Sequence, residues 1–294
     1  MKSLLLKIRR QPPVVRCLGV VMLLHLILWT LIPALYYSVL PLDSLEAVAW
    51  GSGFSLGNAK HPPLTGWIAG LTASATCHAD WPIYLLSQLC VVGGMACIYL
   101  LAREFFGREE SALAALTPEY ILYYNVTSPE FNVNMPMLLL WPAAALFFVR
   151  AYRRDLLRDW ILLGAVSGLC ILCKYYSALL FAAFGCFLLI SKERRRLFLS
   201  AGPWIAAASC LVVILPHAMW ALTGGLAMME ESTPIPRSLP SAKTTVTGAE
   251  PTASTAASPK PCPITASSTL RSPKAPSWRR RSAMRSAAAA PSPN

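Results

Sequence analysis

The sequence predicts an all-α polytopic membrane protein, and three observations carry that reading. Of 294 residues, 55% are apolar and only 14% charged, with a mean hydropathy of +0.49. A soluble domain carries about a quarter charged residues, so the composition argues against a water-soluble enzyme before any motif is read. Seven stretches approach or reach the roughly 20 apolar residues that a spanning helix needs. The basic residues fall between those stretches, with the one-sided bias that membrane insertion imposes.

The elements follow in order. A basic segment, 1–16, precedes a first span at 17–39, whose apolar run is too long for a cleavable signal. A long loop at 39–81 comes next, then spans at 82–102, 111–127, 133–149, 160–173, 175–190 and 199–222. The fifth and sixth are short and read as a hairpin turning at Lys174. With the N-terminus in the cytoplasm, the segments 1–16, 102–110, 150–159 and 191–197 hold fifteen of the seventeen Lys and Arg that precede residue 230. The formal charge of +12 is therefore a membrane signature and not a nucleic-acid one. Most of the nine cysteines lie inside spans, where they act as small hydrophobes. No cofactor is expected, and a divalent metal is left open. From Ser232 the composition turns to Ser, Thr, Ala and Pro with scattered Lys and Arg, and only Glu250 is acidic. Such a stretch cannot bury a core. Two origins stand side by side for 223–294: a disordered basic tail, or a shift of reading frame near residue 231.

Few ionisable groups remain for the outer side, and ionisable groups at a bilayer edge are costly enough to point to function. Six of them, with one asparagine, make a candidate site. In the loop 39–81, which is far longer than an ordinary connection, the run from Asp43 to Trp50 suits a short interfacial helix. Asp43 is placed to cap it, with Glu46 on the same face and Trp50 one turn further. Lys60 and His61 precede Pro62 and Pro63, which fix the backbone at the entry to a second short helix beginning at Leu64. A cation held there suits a lipid-borne phosphate. Glu130 and Asn132, in SerProGluPheAsn at 128–132, are expected in the first turn of the fourth span with Ser128 as its cap. There Glu130 either serves the helix terminus or contacts a sugar or acceptor. Lys174 either snorkels to the interface or contacts phosphate. His78, Asp80, Glu119 and His217 read as ordinary polar groups of loops and span ends.

These residues carry a resemblance. Asp43 to Glu46 after the first span, AlaxxTrp at 47–50, Gly57, LysHisProProLeu at 60–64, SerProGluPheAsn at 128–132, LysTyr at 174–175, and ProHis with Trp220 at 216–220 together span residues 15–222. This pattern resembles polyprenyl-phosphate-dependent glycosyltransferases in or near glycosyltransferase family 39. These are the bacterial relatives of protein O-mannosyltransferases and of the aminoarabinose transferase that modifies lipid A. The resemblance implies a C-type glycosyltransferase transmembrane domain in the bacterial inner membrane, with a cavity open to the periplasm. It implies a sugar donor on polyprenyl phosphate and a lipid or cell-envelope glycan as acceptor. Asp43, with Glu46 second, becomes the base of an inverting transfer; Lys60, His61 and Lys174 face the donor phosphate, and Glu130 and Asn132 face substrate. Many members have adjacent acids where this chain separates Asp43 from Glu46 by two residues. Members also usually carry further spans and a soluble outer domain, so a C-terminally truncated or frameshifted chain is implied. A transporter or flippase of lipid-linked substrates, or a noncatalytic membrane protein, is the competing class.

Overall fold

The computed structural model describes residues 11–58, 60–190, 197 and 199–225. The expected N-terminal segment up to residue 10 and the tail from residue 226 lie outside the described residues. Within them, every regular element is helical: α1 Pro13–Tyr36, α2 Leu42–Gly51, α3 Leu64–Ala75, α4 Trp81–Ala102, α5 Arg108–Leu116, α6 Met135–Arg154, α7 Leu157–Cys173, α8 Ala178–Ile190 and α9 Gly202–Trp220. Proline sits in the first positions of α1, α4, α6 and α9, where its missing N–H costs no intrahelical bond. The chain is thus an all-α polytopic membrane protein, as expected.

The expected spans are not all full-length helices. Four are long and apolar enough to cross a bilayer: Pro13–Tyr36, Trp81–Ala102, Met135–Arg154 and Gly202–Gly224. The pair α7 and α8, of 17 and 13 residues, forms the expected hairpin about Lys174. The stretch 111–127 departs most. Its helix, α5, has 9 residues and stops at Leu116, followed by two 3-10 turns, Thr117–Tyr120 and Leu122–Tyr124. Pro118 supplies the reason, since it donates no N–H and biases Thr117 away from helical geometry.

Irregular backbone survives at membrane depth only where protein satisfies it. Asn125 Nδ2 donates to the carbonyls of Glu119 (2.9 Å) and Ile121 (3.2 Å). His25, midway along α1, sets Nδ1 3.0 Å from the Glu119 carboxylate and Nε2 3.0 Å from the Gln88 side-chain oxygen. Below these contacts α5 packs on α1 and α4 through Leu18, Val91, Met95, Ala112 and Ala115.

The segment from α4 to α6 joins two chemically distinct ends of the bundle. At one, Glu104 takes hydrogen bonds from Arg150 (2.9 Å) and Arg154 (2.6 Å), tying the turn after α4 to the end of α6. At the other, the start of α6 meets the loop that carries α2 and α3. Those two short helices cross at glycines. A Cβ on Gly70 would lie 2.5 Å from the Gly51 backbone, and one on Gly51 would lie 1.9 Å from the Gly66 carbonyl. Only hydrogen fits at this crossing, and the closeness sets how near α2 comes to the residues that lead into α3. A core of Leu40, Ala47, Ala69, Ile83, Tyr84, Phe131 and Met135 lies beneath.

Candidate functional site

The helix α2 begins at Leu42, with Pro41 before it and no side chain of its own capping it. Asp43 therefore stands in the first turn and not at the cap that the sequence suggested. Its backbone N–H is taken instead by Glu130 Oε1, at 3.3 Å. A carboxylate from a distant segment satisfies the free donor of the helix start and complements its dipole, which leaves the Asp43 side chain free to face outward from the helix. Glu46 follows on the same face, and Trp50 one turn later.

The residues around 60 meet this face. Lys60 Nζ donates to Glu46 Oε2 at 2.9 Å and lies 5.8 Å from the centre of the Trp50 ring. The hydrogen bond to Glu46 raises the Lys60 pKa above its ordinary value, aided by the charges of Glu46 and Asp43. His61 packs edge-on against Trp50, with ring centres 5.6 Å apart. Buried Pro62 and Pro63 then lead into α3 at Leu64, as their spacing predicted.

Two segments complete the ring. The run 128–134 was expected to open the fourth helix, but α6 starts only at Met135. Ser128 is no cap: it is buried, donates to the Asn125 carbonyl at 2.8 Å and exchanges hydrogen bonds with Gln88. Phe131 is completely buried in the core, and that anchor fixes its neighbours on either side. Asn132 Nδ2 reaches Asp43 Oδ2 at 3.5 Å, while Asn132 Oδ1 accepts the Asn134 N–H at 2.9 Å. From the hairpin turn after α7, Lys174 Nζ donates to Asn134 Oδ1 at 2.7 Å and lies 5.0 Å from the centre of the Tyr176 ring.

Asp43, Glu46, Lys60, His61, Asn132 and Lys174 line one cavity of about 180 Å³, together with Trp50 and Asn134. Six of the seven residues singled out from the sequence thus converge. The seventh, Glu130, is on the wall of a neighbouring hollow with Tyr37 and Pro129, behind the start of α2. A second, larger hollow of about 660 Å³ shares Asn134 with the cavity and runs along α6 between Tyr123, Trp141, Tyr176 and Leu180. Its walls are mostly apolar. Asn134, read with Glu130 and Asn132 at the start of the fourth span, was not taken into the candidate site, and neither were these aromatics, although the tyrosine pairs 123–124 and 175–176 beside site residues are a visible signal. Neither was His217, which is buried and holds partners through both ring nitrogens.

His61 has its pKa lowered from the ordinary 6.5, first by burial and then by the charges of Lys174 and Lys60. Imidazolium is disfavoured in the folded state, so His61 is a neutral hydrogen-bonding group above that value. Protonation must be forced against the fold, and the stability tied to neutral His61 is lost only as pH falls below 6.5. The expected result is that His61→Gln leaves the shape of the pH–activity profile unchanged between pH 6.5 and about pH 8. An acidic limb near 6.5 that disappears in this variant would assign His61 an ordinary titration and refute the expectation.

The family model described as dolichyl-phosphate-mannose-protein mannosyltransferase matches residues 60–220. That is more than half of the chain, and it includes Lys60, His61, Glu130, Asn132 and Lys174, whereas Asp43 and Glu46 precede it. No curated protein and no solved structure matches.

Proposed function

The chain belongs to the dolichyl-phosphate-mannose-protein mannosyltransferase family, a family of membrane glycosyltransferases, and from that premise we propose that it transfers a sugar from a polyprenyl phosphate carrier to a lipid or envelope glycan acceptor. The reaction is placed at the periplasmic face of a bacterial inner membrane. One observation carries the reading: two carboxylates and two ammonium groups surround a single cavity, and an apolar hollow opens beside it.

The small cavity suits a sugar phosphate headgroup better than a whole donor, because complete ligand pockets are usually about 300 Å³ or more. The adjoining hollow, with Tyr123, Trp141 and Leu180 along it, suits the first units of a polyprenyl tail. Lys174 and Lys60 face the phosphate, His61 adds a neutral donor, and Asn132 and Asn134 hold the groups that meet the sugar. Glu130 is proposed to act through the helix start it caps, in place of the direct substrate contact that the sequence suggested.

In the proposed step the acceptor hydroxyl attacks the anomeric carbon from the face opposite the phosphate. The bond from that carbon to the phosphate oxygen breaks, and its electron pair stays on the phosphate. The hydroxyl proton passes to a carboxylate, and configuration inverts. Asp43 is the better base of the two acids, because Glu46 is committed to an ion pair with Lys60 while the Asp43 carboxylate, among the described residues, takes a hydrogen bond from the neutral amide of Asn132. Positive charge facing the developing phosphate dianion comes from Lys174 and Lys60.

The test is transfer by the chain reconstituted in vesicles with a radiolabelled sugar on polyprenyl phosphate. Label is expected to move to a lipid or glycan acceptor. Transfer from a nucleotide sugar in place of the lipid-linked donor would overturn the proposal.

A further inference from the structure

The last helix, α9, touches the first loop at a point that the proposed chemistry does not use. His217 is 5% exposed, and both ring nitrogens are engaged. Nδ1 lies 2.6 Å from the carbonyl oxygen of Leu56, and Nε2 lies 2.7 Å from the Tyr175 hydroxyl. A carbonyl only accepts, so Nδ1 carries the proton, and Nε2 accepts from the tyrosine O–H. The ring is stacked as well. It stacks on Tyr175 at 5.8 Å and on Trp220 at 5.6 Å, each tilted by 22°.

The segment that this ring holds is short and tightly constrained. Trp67 Nε1 in α3 donates to the Ser55 carbonyl at 2.7 Å, and Ser55 Oγ donates to the Gly57 carbonyl at 2.6 Å. A Cβ on Gly57 would lie 1.9 Å from the Trp220 ring, so a side chain there would push that ring aside where residues 55–57 pass beneath α9. Residues 55–57 are pinned by α3 on one side and α9 on the other. Lys60 follows three residues later. Tyr175, on the opposite side of the imidazole, directly follows Lys174.

We propose that His217 is a positioning residue for phosphate recognition: through Leu56 and Tyr175 it ties the loop of Lys60 to the turn of Lys174 and fixes the two cations about one anion. This inference rests on the proposed donor site, and it names a determinant that acts through other residues. Removing the imidazole frees the loop without removing either charge. Affinity for a lipid phosphate falls while affinity for the same lipid without phosphate does not.

Two measurements on the full chain in nanodiscs separate the parts. Hydrogen–deuterium exchange of the amides in 52–58 reads the tie itself, and binding of undecaprenyl phosphate against undecaprenol reads its consequence. For His217→Ala, exchange in 52–58 is expected to rise and phosphate binding to weaken about tenfold, with undecaprenol binding unchanged. Tyr175→Phe, which removes only the hydroxyl, is expected to weaken phosphate binding about threefold and guards against a variant that does not fold. His217→Asn, which places an amide N–H where Nδ1–H sits, is expected to recover part of the loss. Unchanged exchange in 52–58 with His217→Ala overturns the tie, and equal weakening of both lipids overturns the positioning role. If the parent chain binds the two lipids equally while exchange still rises in the variant, the donor-site reading fails and the tie stands.

Discussion

Replacing Asp43 by Asn is expected to lower sugar transfer by about 10²–10⁴-fold, the range that general-base catalysis supplies. The substitution is nearly isosteric and leaves the backbone N–H that Glu130 accepts, so α2 should keep its start and its place. The Asn132 amide, 3.5 Å from Asp43 Oδ2, retains an acceptor in the new side chain. Only the ability to take a proton is lost, and the loss should appear in kcat with little change in the KM for the lipid-linked donor. Glu46→Gln is the informative contrast. It removes the partner of Lys60 and should alter donor KM while leaving most of kcat. Single-turnover transfer of a radiolabelled sugar with both variants separates the two acids. A larger kcat loss in Glu46→Gln than in Asp43→Asn would reverse the assignment.

What was legible in the sequence divides by range. Long apolar runs fix four full-length spans because each depends only on some twenty neighbouring residues. The break at Pro118 is equally local, yet its outcome is not. Whether an interrupted stretch survives inside a bundle depends on His25, Gln88 and Asn125 meeting its exposed polar groups. Asp43, Glu46, Lys60 and His61 could be gathered in advance because they share one loop, and Lys174 because few outer charges remain to pair with them. Glu130 was placed wrongly for a physical reason. A helix that starts two residues earlier moves Asp43 out of the cap position, and the vacant role is filled from 87 residues away. His217 looked like an ordinary span-end histidine because its partners stand 42 and 161 positions off in the chain. Periodicity carries no information at such separations.

The two lysines of the cavity are not equivalent, and the difference sets the second large effect. Lys60 is 57% exposed at its side chain and already paired with Glu46, so much of its charge is compensated and screened. Lys174 is partly buried and held by the neutral oxygen of Asn134, and among the described residues it forms no ion pair with a carboxylate. Its charge is available to a phosphate. Charge grows on that phosphate as the glycosidic bond breaks, so a fixed cation there stabilises the transition state more than the bound donor. Lys174→Met is therefore expected to cost about 10²–10³ in kcat, as loss of one preorganised donor to a developing anion does, against a smaller loss for Lys60→Met. Asn134→Asp supplies an independent route to the same end. It leaves Lys174 in place but sets a carboxylate against it, and transfer should fall comparably while the ammonium persists. If Lys174→Met raises donor KM alone and spares kcat, the cation serves only ground-state binding, and the stabilisation of the leaving phosphate must be sought in Lys60 and His61.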